Sequence, residues 1–393
     1  LNTGIACAPK GIARESKAAT DDLNIHLLRK MTDDNITLKL NDSLLSGWTR
    51  LRVTRGIERF SGDFELEMTE LYPGQAQDVI ATPGDRCVLA FGGDHVITGY
   101  VDRVVPSISA ESHDIRVTGR GKCQDLLDCA AVWPNGQMSN VNAYSMAKQL
   151  AAVYDIDVIC DVEGLLMIPQ INIIPGESTY EVVERTSRYS ALLVYEDRNG
   201  NMVLARASTE VMASGVQEGI NIEAATAERS MDQRFSHVTA LLTGTNNMQD
   251  LTSITAPHFT ATDPNVPRRR ERVIFAEAGE LGWEVGKQRA LWEVAWRRGR
   301  AEVIHVTVDN WRDVAGNLWE PNKLIDVLIP SLKVSGDQAG TVPQRMMIAE
   351  VTYSLDESGT HAQLTLMPPE AFEPKPILLY PQYGDLVGTV PLR

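Results

Sequence analysis

Between Gly47 and Ala131 apolar and polar residues alternate with a period of two. Leu51, Val53, Phe64, Leu66 and Met68 stand between polar or charged neighbours, as on a sheet with one buried face. Ser61-Gly62-Asp63 and Gly92-Gly93-Asp94 interrupt the alternation and read as hairpin turns. The spacing predicts strands near 36–41, 49–56, 63–70, 86–92, 95–105 and 113–120. A helix over 122–130 follows, with Cys123, Leu126, Leu127 and Ala130 on one face. Segment 31–134 therefore reads as a small β-barrel or sandwich closed by a helix.

The period changes after Trp133-Pro134-Asn135-Gly136. Asn142 caps a helix running to about Tyr154, with Met146, Leu150 and Val153 turned inward. A strand over Asp157–Asp161 follows. Ser178 and Glu181 form a capping box at the start of a second helix, whose apolar face carries Tyr180, Val182 and Val183. Ala191–Glu196 and Met202–Arg206 flank the turn Asp197–Asn201 and read as a hairpin. Segment 135–210 is a small α+β domain.

Strands return over 211–370, at Phe235–Thr245, Val303–Asp309, Leu324–Ile329, Met346–Ser354 and Thr360–Met367, with a helix over Glu284–Arg300. Residues 246–272 hold Pro257, Pro264, Pro267 and few large apolar residues, so they read as an unusually long loop. The proline-rich stretch 371–393 reads as an extended tail. Residues 1–30 have no clear period and read as an extension or disordered arm, since Met31 resembles a natural start.

Composition narrows the function. No run of about 18 apolar residues is present, and no signal-peptide pattern opens the chain, so a soluble protein without membrane insertion is expected. Five scattered cysteines suit reduced thiols rather than a disulfide framework or zinc site. The net charge of −15 is spread over every folded segment, which argues against wrapping nucleic acid and is compatible with DNA passing without adhering. No Gly-x-Ser-x-Gly, His-Glu-x-x-His or P-loop pattern occurs, and the seven histidines stand singly. The expectation is therefore no enzyme, no cofactor and no metal.

Two features stand apart. Arg268, Arg269, Arg270 and Arg272 form the one basic cluster, read as a solvated loop or as a contact to phosphate or an acidic partner. Trp283, Trp292, Trp296, Trp311 and Trp319 gather within a short stretch, with Trp292 and Trp296 on one helix face. They are candidates for a core or for subunit-interface anchors.

Three phrases in order carry a resemblance: GWTRLRVTRGIERFSGDFELEM, TGYVDRVVPSISAESHDIRVTGRGKCQDLLDCAA and WRDVAGNLWEPNKLIDVLIPSL. Together they resemble the baseplate hub proteins of Mu-like contractile-tailed bacteriophages. The resemblance implies a β-rich α+β chain with two tail-tube-like β-barrel domains flanking the small α+β domain. It further implies a ring-shaped homotrimer that adapts a six-fold tail tube to a three-fold spike, in the tail baseplate of a virion assembled in a bacterial host cytoplasm. The implied partners are tube, spike and other baseplate proteins, with DNA passing through unbound. One strand face in 36–120 and 235–367 would line a neutral or acidic passage, with the Arg268–Arg272 cluster at its rim or away from it. The rival readings are a tail-associated cell-wall hydrolase and a receptor- or carbohydrate-binding module.

Overall fold

The computed structural model describes residues 35–41, 43–69, 81–109, 113–243, 258–277 and 282–373. The arm expected at 1–30, the tail beyond residue 373 and the side chain of Trp283 lie outside the described residues.

The N-terminal β segment contains β1 (Ile36–Leu40), β2 (Ser43–Leu45), β3 (Arg50–Gly56), β4 (Asp63–Thr69), β5 (Arg86–Phe91), β6 (Asp94–Ile108) and β7 (His113–Gly121). Its alternation lies where the sequence puts it. Leu51, Val53, Phe64 and Leu66 are buried, while Arg50, Arg52, Glu65 and Glu67 face outward. The closing helix α1 (Gln124–Asp128) is shorter than the pattern predicts. Cys123 and Leu126 are buried, but Leu127 is 41% exposed, so the inward face is narrower than i, i+3, i+4, i+7 spacing suggests.

The middle segment holds β8 (Gln137–Val141), α2 (Ala143–Ala151), β9 (Val158–Ile159), β10 (Ile168–Asn172), α3 (Thr179–Ser187), β11 (Leu193–Glu196) and β12 (Met202–Ala205). Both expected caps are formed: Asn142 accepts from the Ser145 N–H, and Ser178 accepts from the Glu181 N–H. Met146, Leu150, Val182 and Val183 fill the core. Val153 is exposed instead, because the last turn after Ala151 tightens to a 3-10 helix and swings it out.

The C-terminal segment contains β13 (Val216–Gln217), β14 (Ile222–Arg229), β15 (His237–Thr243), β16 (His258–Thr262), β17 (Glu271–Glu277), α4 (Gly282–Arg300), β18 (Glu302–Val308), β19 (Leu324–Leu328), β20 (Gln344–Asp356) and β21 (Gly359–Met367). Of the long loop expected over 246–272, residues 246–257 lie outside the described residues, and the rest is corrected by β16 and the start of β17. These strands flank β15 in a separate three-stranded sheet that packs on α4. Pro264 and Pro267 fall between the two strands.

Two separate barrels are not what forms. A single 13-stranded sheet runs β14-β18-β21-β20-β3-β4-β7-β6-β5-β1-β2, with β13 and β19 branching from β20. The seam is the antiparallel pairing of β20 with β3, from Glu350 opposite Gly56 to Leu355 opposite Leu51. Among the described residues no sheet closes on itself, since β14 and β2 end the path. Each half offers a paired edge strand to the other, which removes one exposed edge from each. The two halves also share one core, in which Phe91 stacks on Trp311 at 4.1 Å and meets Tyr353 edge-on. Aromatic contacts of this kind add about 0.5–1.5 kcal/mol to the burial itself.

Candidate functional site

The shared sheet buries one side and exposes a polar face that crosses the seam. Period-two geometry decides its membership. On β7 the outward residues are Arg116, Thr118 and Arg120, and on β4 they are Asp63, Glu65 and Glu67. They continue through Arg50, Arg52 and the covered Thr54 on β3 to Ser354, Thr352 and Glu350 on β20. Beyond lie His361, Gln363 and Thr365 on β21, then His305 and Thr307 on β18.

In the N-terminal half this face is a lattice of ion pairs. Arg52 lies 2.8 Å from Asp63 and 3.9 Å from Glu65, and Arg116 lies 3.2 Å from Glu65. Arg120 bridges Asp102 at 2.7 Å and Asp128 at 2.8 Å. Arg59 spans the seam, 3.2 Å from both Asp63 and Glu350. Such exposed pairs contribute about 0–1 kcal/mol each; their larger effect is to cancel charge. The C-terminal half carries hydroxyl, amide and imidazole groups instead. Thr54 and Thr352 join hydroxyls across the seam at 3.1 Å, and Thr365 meets His305 Nδ1 at 3.2 Å.

Two buried charged groups hold the halves and the middle segment in place. The Arg312 guanidinium, 7% exposed, donates to Asp94 at 2.5 Å and to the Phe91 carbonyl at 2.9 Å, fastening the loop after β18 to the β5–β6 hairpin. Glu196 enters from β11 and accepts from the Gly62 N–H at 3.0 Å and the Cys123 N–H at 2.8 Å. A Cβ on Gly121 would overlap that carboxylate, so the close approach needs glycine. Burial pushes the Glu196 carboxyl up to about 7, against the opposing pull of its two backbone donors. Sequence alternation held a clue: in Val194-Tyr195-Glu196, Glu196 falls on the inward side with Val194.

The residues singled out from sequence are dispersed. Trp311 and Trp319 are at most 1% exposed. The Trp311 indole N–H donates to the Ser354 and His361 carbonyls, and that of Trp319 to the Asn310 carbonyl. Trp292 and Trp296 are half-buried on α4 and stack at 5.6 Å, with the Trp292 N–H donating to the Glu373 carbonyl at 2.7 Å. Arg268 and Arg269 are exposed, the latter 2.5 Å from Glu271. Arg270 and Arg272 turn inward, and with Arg297 they surround the Phe235 ring at 5.1–5.4 Å. Arg272 and Arg297 share Glu293 at 3.1 and 2.8 Å. The cluster thus belongs to the three-stranded sheet and contributes nothing to the polar face. Among the described residues no group of three or more His, Cys, Asp and Glu side chains is arranged to hold a metal ion.

Comparison with known proteins covers almost the whole described chain. Residues 35–121 match the N-terminal domain of the Mu phage baseplate assembly protein GpP-like family. Residues 123–206 match the second domain of the baseplate hub protein gp44-like family, and 283–375 match the fourth domain of the Mu GpP family. The chain is 31% identical over 348 residues to the baseplate hub protein gp44 of Escherichia phage Mu, covering 86% of this chain and 89% of that protein. The 43 kDa tail protein of prophage MuSo2 from Shewanella oneidensis is 31% identical with a TM-score of 0.74, over 86% of this chain and 99% of that one. A tail protein from Neisseria meningitidis MC58 shares the fold, with a TM-score of 0.69 at 20% identity, over 87% of this chain and 99% of that one.

Proposed function

The chain belongs to the family of baseplate hub proteins of Mu-like phages, and its role is that of a structural hub in a phage tail; we infer from this that three copies close into a ring whose inner wall is the polar face of the shared sheet. The observation that carries the reading is the β3–β20 seam. It makes two β segments of one chain into successive arcs of a single surface. Three chains with two arcs each present six similar units to a six-fold tube and three to a spike. Tube, spike and neighbouring baseplate proteins would then be the contacts of the ring's two ends, in a virion tail assembled in the host cytoplasm.

The wall chemistry fits a conduit. Arg50, Arg52, Arg59, Arg116 and Arg120 are paired with Asp63, Glu65, Glu67, Asp102, Asp128 and Glu350, and the other half adds no lysine or arginine to the face. A duplex is held by counterion release at clustered cations, and a balanced wall offers little of that. The function is mechanical and without a catalytic step, as for the structural hub proteins it resembles. Sedimentation equilibrium tests the assembly. A species of three times 43.3 kDa is expected, and a protein that stays monomeric at high micromolar concentration would contradict the ring.

A further inference from the structure

The exposed polar face is built twice. In the N-terminal half its strands run β3-β4-β7-β6, and in the C-terminal half β14-β18-β21-β20, antiparallel throughout. The last strand of each set is long, β6 with 15 residues and β20 with 13. Each carries a bulge, between Val101 and Arg103 in β6 and between Ile348 and Glu350 in β20. Before its bulge β6 pairs with β5, and β20 pairs with β19. After its bulge β20 crosses to β3 and makes the seam. The matching stretch of β6, from Arg103 to Ile108, pairs only with β7 among the described residues, so its other edge is open. At the opposite end of the path β14, the counterpart of β3, presents an open edge along a strand of eight residues.

With the two bulges superposed, Val104, Ser107 and Ile108 take the positions of Val351, Ser354 and Leu355, side chains of the same kind. Following the ladders across the sheet, Thr226 of β14 takes the position of Arg52 of β3. In the seam Ser354 stands opposite Arg52. The same rule puts Ser107 opposite Thr226, Ile108 opposite Ala225 and Val105 opposite Glu228.

We propose that the open edge of β6 in one chain pairs, antiparallel and in this register, with β14 of a second copy of the chain. The inference rests on the ring reading above and names the edges that close it. Rotation about a ring axis keeps strand direction, and β14 runs opposite to β6 within the chain, so the antiparallel alternation continues from copy to copy. The other end of the path, β2, has only three residues and would meet β14 in parallel. Side chains match as well. Ile108, 82% exposed, would lie against the small, half-buried Ala225. Arg103 and Glu228 are exposed, join no ion pair among the described residues, and become diagonal neighbours on the polar face. Pro106 leaves the ladder one donor short and discourages pairing with unrelated strands.

The test uses the full chain with paired cysteines, run on denaturing gels without reductant after mild oxidation, beside sedimentation equilibrium. In the seam the Ile57 N–H donates to the Ala349 carbonyl, which makes Ser354–Arg52 a non-hydrogen-bonded pair. Ser107 and Thr226 inherit that parity, and Cα atoms of such pairs lie about 4.5 Å apart, within disulfide reach. Ser107→Cys with Thr226→Cys should give covalent dimers and trimers that collapse on reduction. Linkage should be at least tenfold lower in either single variant and in Arg103→Cys with Thr226→Cys. Ile108→Glu, at a side chain exposed in the single chain, should weaken self-association at least tenfold and leave the melting temperature of dilute, monomeric protein unchanged. A wild-type trimer without linkage in the Ser107→Cys, Thr226→Cys variant would overturn the strand pairing and leave the ring standing. A wild-type chain that stays monomeric at high micromolar concentration would overturn both. Equal linkage in the Arg103→Cys, Thr226→Cys variant would overturn the register. Should the double variant not fold, undiminished self-association in Ile108→Glu would overturn the pairing.

Discussion

The two halves of the shared sheet reach a nearly neutral surface by opposite routes. On β3, β4 and β7 nearly every outward residue is charged and is answered by an opposite charge on the next strand, as with Arg52 between Asp63 and Glu65. On β18, β20 and β21 the outward positions are Thr, Ser, Gln and His, with Glu350 reaching back to Arg59. Underneath, the halves pack as one: Phe91 of one stacks on Trp311 of the other, and a single hydrophobic cluster spans both. Surface chemistry thus differs between the halves while the core is common. What the two faces share is the scarcity of unpaired positive charge, which suits the proposed DNA conduit.

The largest effect is expected from breaking the common core. Trp311→Ala should cost about 3–5 kcal/mol, and both halves should unfold in one transition, followed by circular dichroism in denaturant. Trp292→Ala, on the half-buried face of α4, should cost about 1 kcal/mol. Two separate transitions, or equal costs at the two tryptophans, would mean that the halves are independent after all.

The seat of the middle segment on the N-terminal half should be pH-dependent. The folded pKa of Glu196 is raised from 4.5 to about 7, so its protonated form is favoured in the native state. Its contribution to stability is fully present below the unfolded value and is lost as pH rises through the folded one. The protein should therefore lose up to about 3 kcal/mol from this group between acid and neutral pH. Glu196→Gln should flatten that slope in urea melts collected across the range. A slope of the same size in the variant would place the titration elsewhere.

Smaller still is the energetic effect on the polar face, where the two routes to neutrality become separable. Arg52→Ala should cost under about 1 kcal/mol, as should Thr352→Lys on the other half. Their effects on DNA should differ from that pattern. Thr352→Lys, Gln363→Lys and Thr365→Lys together should create retention of duplex DNA that falls steeply with salt, by up to about 0.9 log units of affinity per tenfold salt for each phosphate neutralised. Fluorescence anisotropy of a labelled duplex reads this directly, and tight salt-sensitive binding by the unmodified protein would refute the balanced wall.

Much of this was legible beforehand, for definite reasons. Period-two alternation located Leu51, Val53, Phe64 and Leu66 inward because a half-buried sheet imposes it. The Asn142 and Ser178 caps are local chemistry and were equally readable. The β3–β20 seam was not, because the pairing joins residues nearly 300 positions apart (Thr54 and Thr352 among them) and alternation says nothing about which edge meets which. Likewise β16, with few apolar residues among prolines, looks like a loop until β15 gives it a partner. The tryptophan cluster divided by burial: Trp311 and Trp319 went to the core, while Trp292 and Trp296 stayed at the surface of α4. The tie from Glu196 to Gly62 and Cys123 was invisible, since it depends on how the middle segment docks.

In the proposed ring the polar face running from β7 to β18 is the inner wall of a trimer. Electron cryomicroscopy of the assembled protein tests it most directly. A three-fold particle is expected in which Arg52, Glu65, Thr352 and Gln363 face a passage about as wide as a DNA duplex, with no continuous basic lining. A trimer that turns this face outward, or buries it between subunits, would contradict it.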